Sequence, residues 1–200
     1  GDVYKRQVMG NVYHTKEEMI DCVNSFYEGM VQRSEEMKRH PDYKTGENYA
    51  YLGLPPCFLI FDEYVAFFEM LGIKESTSLL SQLKKIVMLG RQAGYFLIVA
   101  CQRPDAKYFS DGIRDNFNFR VGLGRISELG YGMLFGSDVK KQFFQKRIKG
   151  RGYCDVGTSV ISEFYTPLVP KGHDFLQTIG RLAEQRQVMP EQQEKENKTL

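Results

Sequence analysis

Apolar residues recur at helical spacing near the start of the chain. Met19, Val23, Phe26, Met30, Val31 and Met37 keep one stripe to about Arg39, and Thr15 with Glu18 three residues later makes a capping box in front of it. The pattern predicts a helix over 15–39. Residues 40–56 interrupt it with Pro, Gly and polar side chains and read as a loop. Cys57-Phe58-Leu59-Ile60-Phe61 follows, a continuous apolar run too short for a helix, which suits a strand buried on both faces. Over 76–92, Leu79, Leu80, Leu83, Ile86, Val87 and Leu89 return to helical spacing, and Gly94 stops them. Tyr95–Cys101 reads as a second buried strand, Phe117–Leu123 as a third, and Val160–Thr166 as a fourth of more alternating character. Continuous apolar strands separated by helices predict an α/β fold with a mostly parallel sheet flanked by helices. Residues 1–11 have no apolar period and are read as a terminal junction. Residues 185–200 are nearly all Glu, Gln, Lys and Asn, cannot offset their ordering entropy, and are expected to be a disordered polar tail, which leaves 12–184 as the domain.

Composition narrows the class without naming a function. With 42% hydrophobic and 26% charged residues in 200, collagen-like and wholly disordered chains are excluded. No run of eighteen apolar residues occurs, so a spanning helix within this stretch is excluded too. The four cysteines, at 22, 57, 101 and 154, include no C-x-x-C pair and have only three histidines to assist them, so no zinc site or disulfide framework is written here. That usage fits a reducing compartment, and a cytoplasmic location is expected. The formal charge of +2 hides a division: residues 1–90 carry −3, 91–151 carry +7 and 152–200 carry −2. The basic middle block either steers a polyanion or is a solvated surface with acidic neighbours folded back over it.

In a parallel sheet, ligands gather beyond the carboxyl ends of the strands, so the residues after each apolar run matter most. The first run ends in Asp62-Glu63, the second in Gln102-Arg103-Pro104, and the third starts at Arg120 and leads to Gly122, Gly124 and Arg125. An apolar strand followed by two acids is the Walker B arrangement of P-loop ATPases, in which the first acid holds the Mg²⁺ shell and the second polarises the attacking water. The competing reading makes Asp62 the cap of the next helix and Glu63 a first-turn acid favoured by the dipole. A polar amide, Gln102, at the equivalent place on the second strand supports the former.

Three blocks taken together, Phe58-Leu-Ile-Phe-Asp-Glu-Tyr64, Gly90-Arg-Gln-Ala-Gly through Cys101-Gln-Arg-Pro104, and Ile113-Arg-Asp-Asn-Phe-Asn-Phe-Arg120, resemble the FtsK/SpoIIIE family of DNA-translocating ATPases. The resemblance extends loosely from about Val12 to Leu176. With Tyr64 and Phe67-Phe68 after the acids, the chain is more similar to the coupling proteins of integrative conjugative elements than to chromosome-segregation motors. The resemblance implies a RecA-like P-loop NTPase fold using ATP and Mg²⁺. It implies Asp62 as the acid holding Mg²⁺ through water, Glu63 as catalytic base, and Gln102 as the sensor between Glu63 and the γ-phosphate. Arg120 matches the position of an arginine finger offered to the neighbouring subunit of a hexameric ring. Arg91 and Arg103 compete for that role, and a surface or inter-strand ion pair is the alternative for any of them. Double-stranded DNA is the implied partner, with relaxase-like or other transfer-complex proteins besides. Lys140, Lys141, Lys146 and Arg147, interleaved with Phe143 and Phe144, are the candidate DNA contacts lining the ring's channel; otherwise they are the solvated side of an amphipathic helix. No membrane contact is expected from this segment, whereas a full-length parent is expected to be anchored at the inner face of the membrane.

One departure qualifies all of this. The family's phosphate loop, G-x-x-x-x-G-K-[ST], occurs nowhere in the 200 residues, so nothing in them cradles the β- and γ-phosphates. The resemblance therefore implies the carboxyl-terminal portion of a motor domain, with the amino-terminal part and its Walker A loop missing, unable to hydrolyse ATP alone. The expected function is a portion of an ATP-dependent double-stranded DNA translocase serving conjugative DNA transfer. The alternatives are a non-hydrolysing motor-fold remnant that binds DNA or a transfer partner, and another secretion or packaging ATPase sharing Asp62-Glu63 but not the Gln102-Arg103-Pro104 block.

Overall fold

A computed structural model describes residues 12–102, 107–109, 111–136, 139, 148–158 and 160–182. The first helix, α1 (Lys16–Arg39), begins at the expected capping box: the Thr15 hydroxyl accepts from the Glu18 amide and the Glu18 carboxylate accepts from the Thr15 amide. Glu17 and Glu18 in its first turn and Lys38 and Arg39 in its last both suit the helix dipole. Val23, Met30 and Met37 are buried, while Val31 at the stripe's margin is exposed. A short 3₁₀ turn, Tyr49–Leu52, breaks the loop that follows.

Strand β1 (Cys57–Phe61) leads through α2 (Tyr64–Glu69) and α3 (Ile73–Ala93) to β2 (Tyr95–Val99), which pairs parallel with β1, Cys57 opposite Tyr95 through to Phe61 opposite Val99. The last turn of α3 closes on Gly94 at φ 77°, where an added Cβ would also lie 2.6 Å from the Tyr49 ring. Glycine is thus required twice over at the entry to β2. Leu59 and Phe61 enter the same core as Val23 and Met30 of α1 and Leu79, Leu83 and Ile86 of α3. The alternate positions do not: Phe58 is 56% exposed, Ile60 62% and Ile98 47%. Burial on both faces, expected from the continuous apolar run, therefore holds for one face only among the described residues. On the bare face Phe58 stacks on Phe96 with ring centroids 5.5 Å apart.

Arg33 of α1 ties the two strand entries together. Its guanidinium donates to the carbonyl oxygens of Pro55 (2.7 Å) and Ala93 (3.4 Å), just ahead of β1 and β2, and lies 4.9 Å from the centre of the Tyr95 ring.

The expected third and fourth strands do not extend the parallel pair. After the single turn α4 (Asp111–Arg114), β3 (Arg120–Leu123), β4 (Arg151–Asp155) and β5 (Ile161–Tyr165) form a separate antiparallel sheet in that order. Helix α5 (Glu128–Phe135) packs on β3, and Tyr131, Phe135, Tyr153 and Ile161 make a second core cluster. The physical reason is the partner strand. β4 carries a glycine, Gly152, and few apolar residues, so no apolar run announces it, yet it pairs with both neighbours and fixes their direction. Thr15–Pro167 make one compact unit; 168–182 belong to a second, in which 175–182 are helical. The expected junction 1–11 and tail 185–200 lie outside the described residues.

Candidate active site

Parallel in-register pairing carries the residues after β1 and those after β2 to one edge of the sheet. The ladder runs one step past both strands, since the Ala100 amide donates to Phe61 (2.8 Å) and the Tyr64 amide donates to Ala100 (3.0 Å). Just beyond it the Gln102 side-chain amide donates to Glu63 Oε1 at 3.0 Å. Asp62, Glu63 and Gln102 are all exposed at this edge.

Glu63 has φ 56° and ψ 51°, and among the described residues it alone is a non-glycine in the left-handed region. Such a conformation costs a side-chain-bearing residue about 1–2 kcal/mol and persists only where its surroundings over-determine it. Glu63 occupies the N-cap position of α2 but makes no side-chain cap hydrogen bond. Neither half of the capping alternative describes this turn, because the cap position falls on Glu63 rather than Asp62 and the Glu63 carboxylate is turned to Gln102.

The strained residue is followed by the most enclosed side chain of the turn. Tyr64 is only 1% exposed, with ring centroids 5.6 Å from Phe61, 4.8 Å from Phe68 and 4.6 Å from Phe109. Its hydroxyl donates to the Tyr108 carbonyl oxygen at 3.3 Å. Burial, and secondarily the neighbouring Cys101 thiol, raises its phenol above the ordinary tyrosine value, so the group is a neutral donor across the working pH range. Sequence reading picks out Tyr64 only as a family variation; its bond to a residue 44 positions away leaves no local signal.

The candidate arginines separate. Arg120 lies in the antiparallel sheet, opposite Asp155, and bonds to it at 2.5 Å while its other terminal nitrogen donates to the Leu134 carbonyl oxygen at 3.2 Å. Asp155 is buried, and its second oxygen accepts from the Gly157 amide at 2.9 Å. This is the inter-strand ion pair that stood as the alternative to a finger. Arg91 is exposed in the last turn of α3. Arg103 and the candidate DNA contacts Lys140, Lys141, Lys146 and Arg147 lie outside the described residues.

No protein-family profile matches the chain. It is 56% identical over 168 residues to the FtsK domain-containing protein YdcQ of Bacillus subtilis (strain 168), a match covering 84% of this chain and 35% of that protein. The chain thus spans about a third of its relative's length. Among solved structures it is similar to the conjugation coupling protein TcpA of pCW3, a monomer form with ATPγS (TM-score 0.60, 17% identity, 82% of this chain and 49% of that one). It is likewise similar to EssC, ATPases 2 and 3, from Geobacillus thermodenitrificans (TM-score 0.62, 17% identity, 94% and 36%). A third neighbour is the cytoplasmic domain of the type VII secretion ATPase EccC from Thermomonospora curvata (TM-score 0.59, 18% identity, 86% and 21%). These likenesses assign the RecA-like P-loop ATPase fold. Among the described residues no helix is long and apolar enough to cross a membrane.

Proposed function

We propose that this chain, an FtsK-type member of the RecA-like P-loop ATPases, is the acid-and-sensor portion of an ATP-dependent motor that moves double-stranded DNA, serving as a coupling protein in conjugative transfer. The observation that carries the reading is the 3.0 Å hydrogen bond from Gln102 to Glu63 across the carboxyl ends of two parallel strands, with Asp62 exposed beside it.

The residues fit half of a nucleotide site. Asp62 and Glu63 offer hard carboxylate oxygens to a hydrated Mg²⁺, but the 200 residues hold no G-K-[ST] to embrace the phosphates. When bound, Mg²⁺-ATP supplies the transferable phosphoryl group. Asp62 would hold the cation through water. Glu63 would take a proton from the attacking water on the carboxylate oxygen that Gln102 leaves free, while the Gln102 amide fixes that carboxylate's rotation. In a hexameric ring a neighbour would complete the site with an arginine. Arg91 suits that role better than Arg120, being exposed and outside any buried ion pair. Lys140, Lys141, Lys146 and Arg147 would meet DNA phosphates, and a relaxase-like protein would deliver the DNA.

The test is ATP hydrolysis by the full gene product that contains this chain, with and without double-stranded DNA. Turnover on the order of 1 s⁻¹ or faster, stimulated by DNA and abolished by Glu63→Gln while nucleotide binding is kept, is the expected outcome. Because these 200 residues hold no phosphate loop, a second reading stands beside the first, a non-hydrolysing remnant that binds DNA or a transfer partner. Binding to DNA without turnover by the full product, and insensitive to Glu63→Gln, would replace the first reading by the second.

A further inference from the structure

Gln102 lies three residues past Val99, the last residue of β2, so strand pairing alone does not hold it against Glu63. It is attached on both flanks, each time by the same residue. Upstream, the Tyr64 amide bonds to the Ala100 carbonyl oxygen at 3.0 Å; downstream, the Tyr64 hydroxyl bonds to the Tyr108 carbonyl oxygen at 3.3 Å. The two attachment points, 100 and 108, bracket Gln102, and Tyr64 immediately follows the strained Glu63. Ring contacts reinforce the downstream attachment, Tyr64 with Phe109 at 4.6 Å and Phe68 with Tyr108 at 5.4 Å.

We infer that Tyr64 is the positioning residue of the site: its backbone amide and its buried hydroxyl clamp the two flanks of Gln102 to the turn that holds Glu63 in its left-handed conformation, and so set the distance between the two side chains. The inference rests on Glu63 and Gln102 being the working pair. A ring would suffice to fill the space; the hydroxyl is what ties the downstream flank, because without it the Tyr108 carbonyl loses that donor. A hydrogen bond of this kind contributes about 1 kcal/mol net, enough to change the ratio of open to closed flank roughly fivefold.

The experiment uses the ¹⁵N-labelled chain. The Gln102 side-chain amide resonance is assigned, and its dependence on Glu63 is the change produced by Glu63→Gln. In Tyr64→Phe the fold should be kept, with the backbone amides of α1 and α3 unmoved. The Gln102 resonance should lose at least half of its Glu63-dependent shift, and hydrogen exchange at the backbone amides of 107–109 should quicken about fivefold, in line with the energy above. Phe109→Leu serves as the packing control. It removes a ring contact but leaves the hydroxyl, and should lower stability while leaving the Gln102 shift near its original value. A full Glu63-dependent shift in Tyr64→Phe overturns the inference, as does an equal loss in Phe109→Leu. A Tyr64→Phe chain that fails to fold overturns it as well, since Tyr64 would then serve the core and not the site. If Glu63→Gln leaves the Gln102 resonance unmoved, the pair itself fails, and the proposed function with it. If only Tyr64→Phe is without effect, the proposed function stands and the clamp alone falls.

Discussion

Arg120 and Asp155 are direct partners across β3 and β4, and their side chains meet at 2.5 Å in a largely buried pair in which Asp155 is only 4% exposed. Removing one member of such a pair leaves an uncompensated charge inside, at a cost of about 3–5 kcal/mol. Arg120→Ala and Asp155→Ala should therefore destabilise the chain to similar extents. Thermal melts with circular dichroism check this. A finger acting on a neighbour gives the opposite pattern: Arg120→Ala with an unchanged melt, and Asp155→Ala far more damaging than Arg120→Ala.

The bare face of the β1–β2 pair gives a second expectation. Ile60 is 62% exposed, whereas Leu59 beside it is 8% exposed and belongs to the core. In the 200-residue chain Ile60→Lys should shift stability by no more than about 0.5 kcal/mol, the usual range for surface changes. It should also weaken binding of a hydrophobic dye such as bis-ANS. Leu59→Lys should unfold the chain, because it buries an unpaired ammonium. Parallel sheets are ordinarily covered on both faces. In the full gene product Ile60→Lys should therefore be destabilising, and an unchanged melt there would mean the face stays open.

The left-handed backbone at Glu63 separates stability from chemistry at a single position. Glycine adopts φ 56° freely, whereas alanine keeps the strain of a Cβ. Glu63→Gly should be more stable than Glu63→Ala by about 1 kcal/mol, measured by denaturant unfolding at equal m-value, though both variants lack the carboxylate. Equal stabilities would show that the turn relaxes to negative φ once the Glu63–Gln102 bond is lost.

What could be read from the sequence was local. The capping box of Thr15 and Glu18 lies within four residues, and the two apolar runs identify β1 and β2 because each is bounded by a helix or a loop signal. Parallel register then carries the residues that follow the two runs, Glu63 and Gln102 among them, to one edge of the sheet. What could not be read was set by distant partners. β4, short and glycine-bearing, has no apolar run, and β3 and β5 each pair antiparallel to it. An apolar run also looks the same whether one face or both are covered, so the exposure of Phe58 and Ile60 was hidden. Arg120 stood out as an arginine on a strand, but its role depends on Asp155, 35 residues away. The Tyr64 clamp is invisible for the same reason.

The last expectation concerns the 200-residue chain by itself. Asp62 and Glu63 can hold a hydrated cation, but exposed acids alone repel the phosphates they must approach, and the charge on the transferred group is neutralised in this fold class by loop amides and a lysine that the sequence lacks. ATP should therefore bind weakly and without turnover, even with saturating Mg²⁺ and DNA, and Glu63→Gln should change neither result. Calorimetric titration of ATP into the chain, alongside a phosphate-release assay, makes the check. Turnover of about 1 s⁻¹ or faster that disappears in Glu63→Gln would mean that some other group supplies the cradle, and the residues outside the described segments, Arg103, Lys140 and Lys141 first, would be the ones to substitute next.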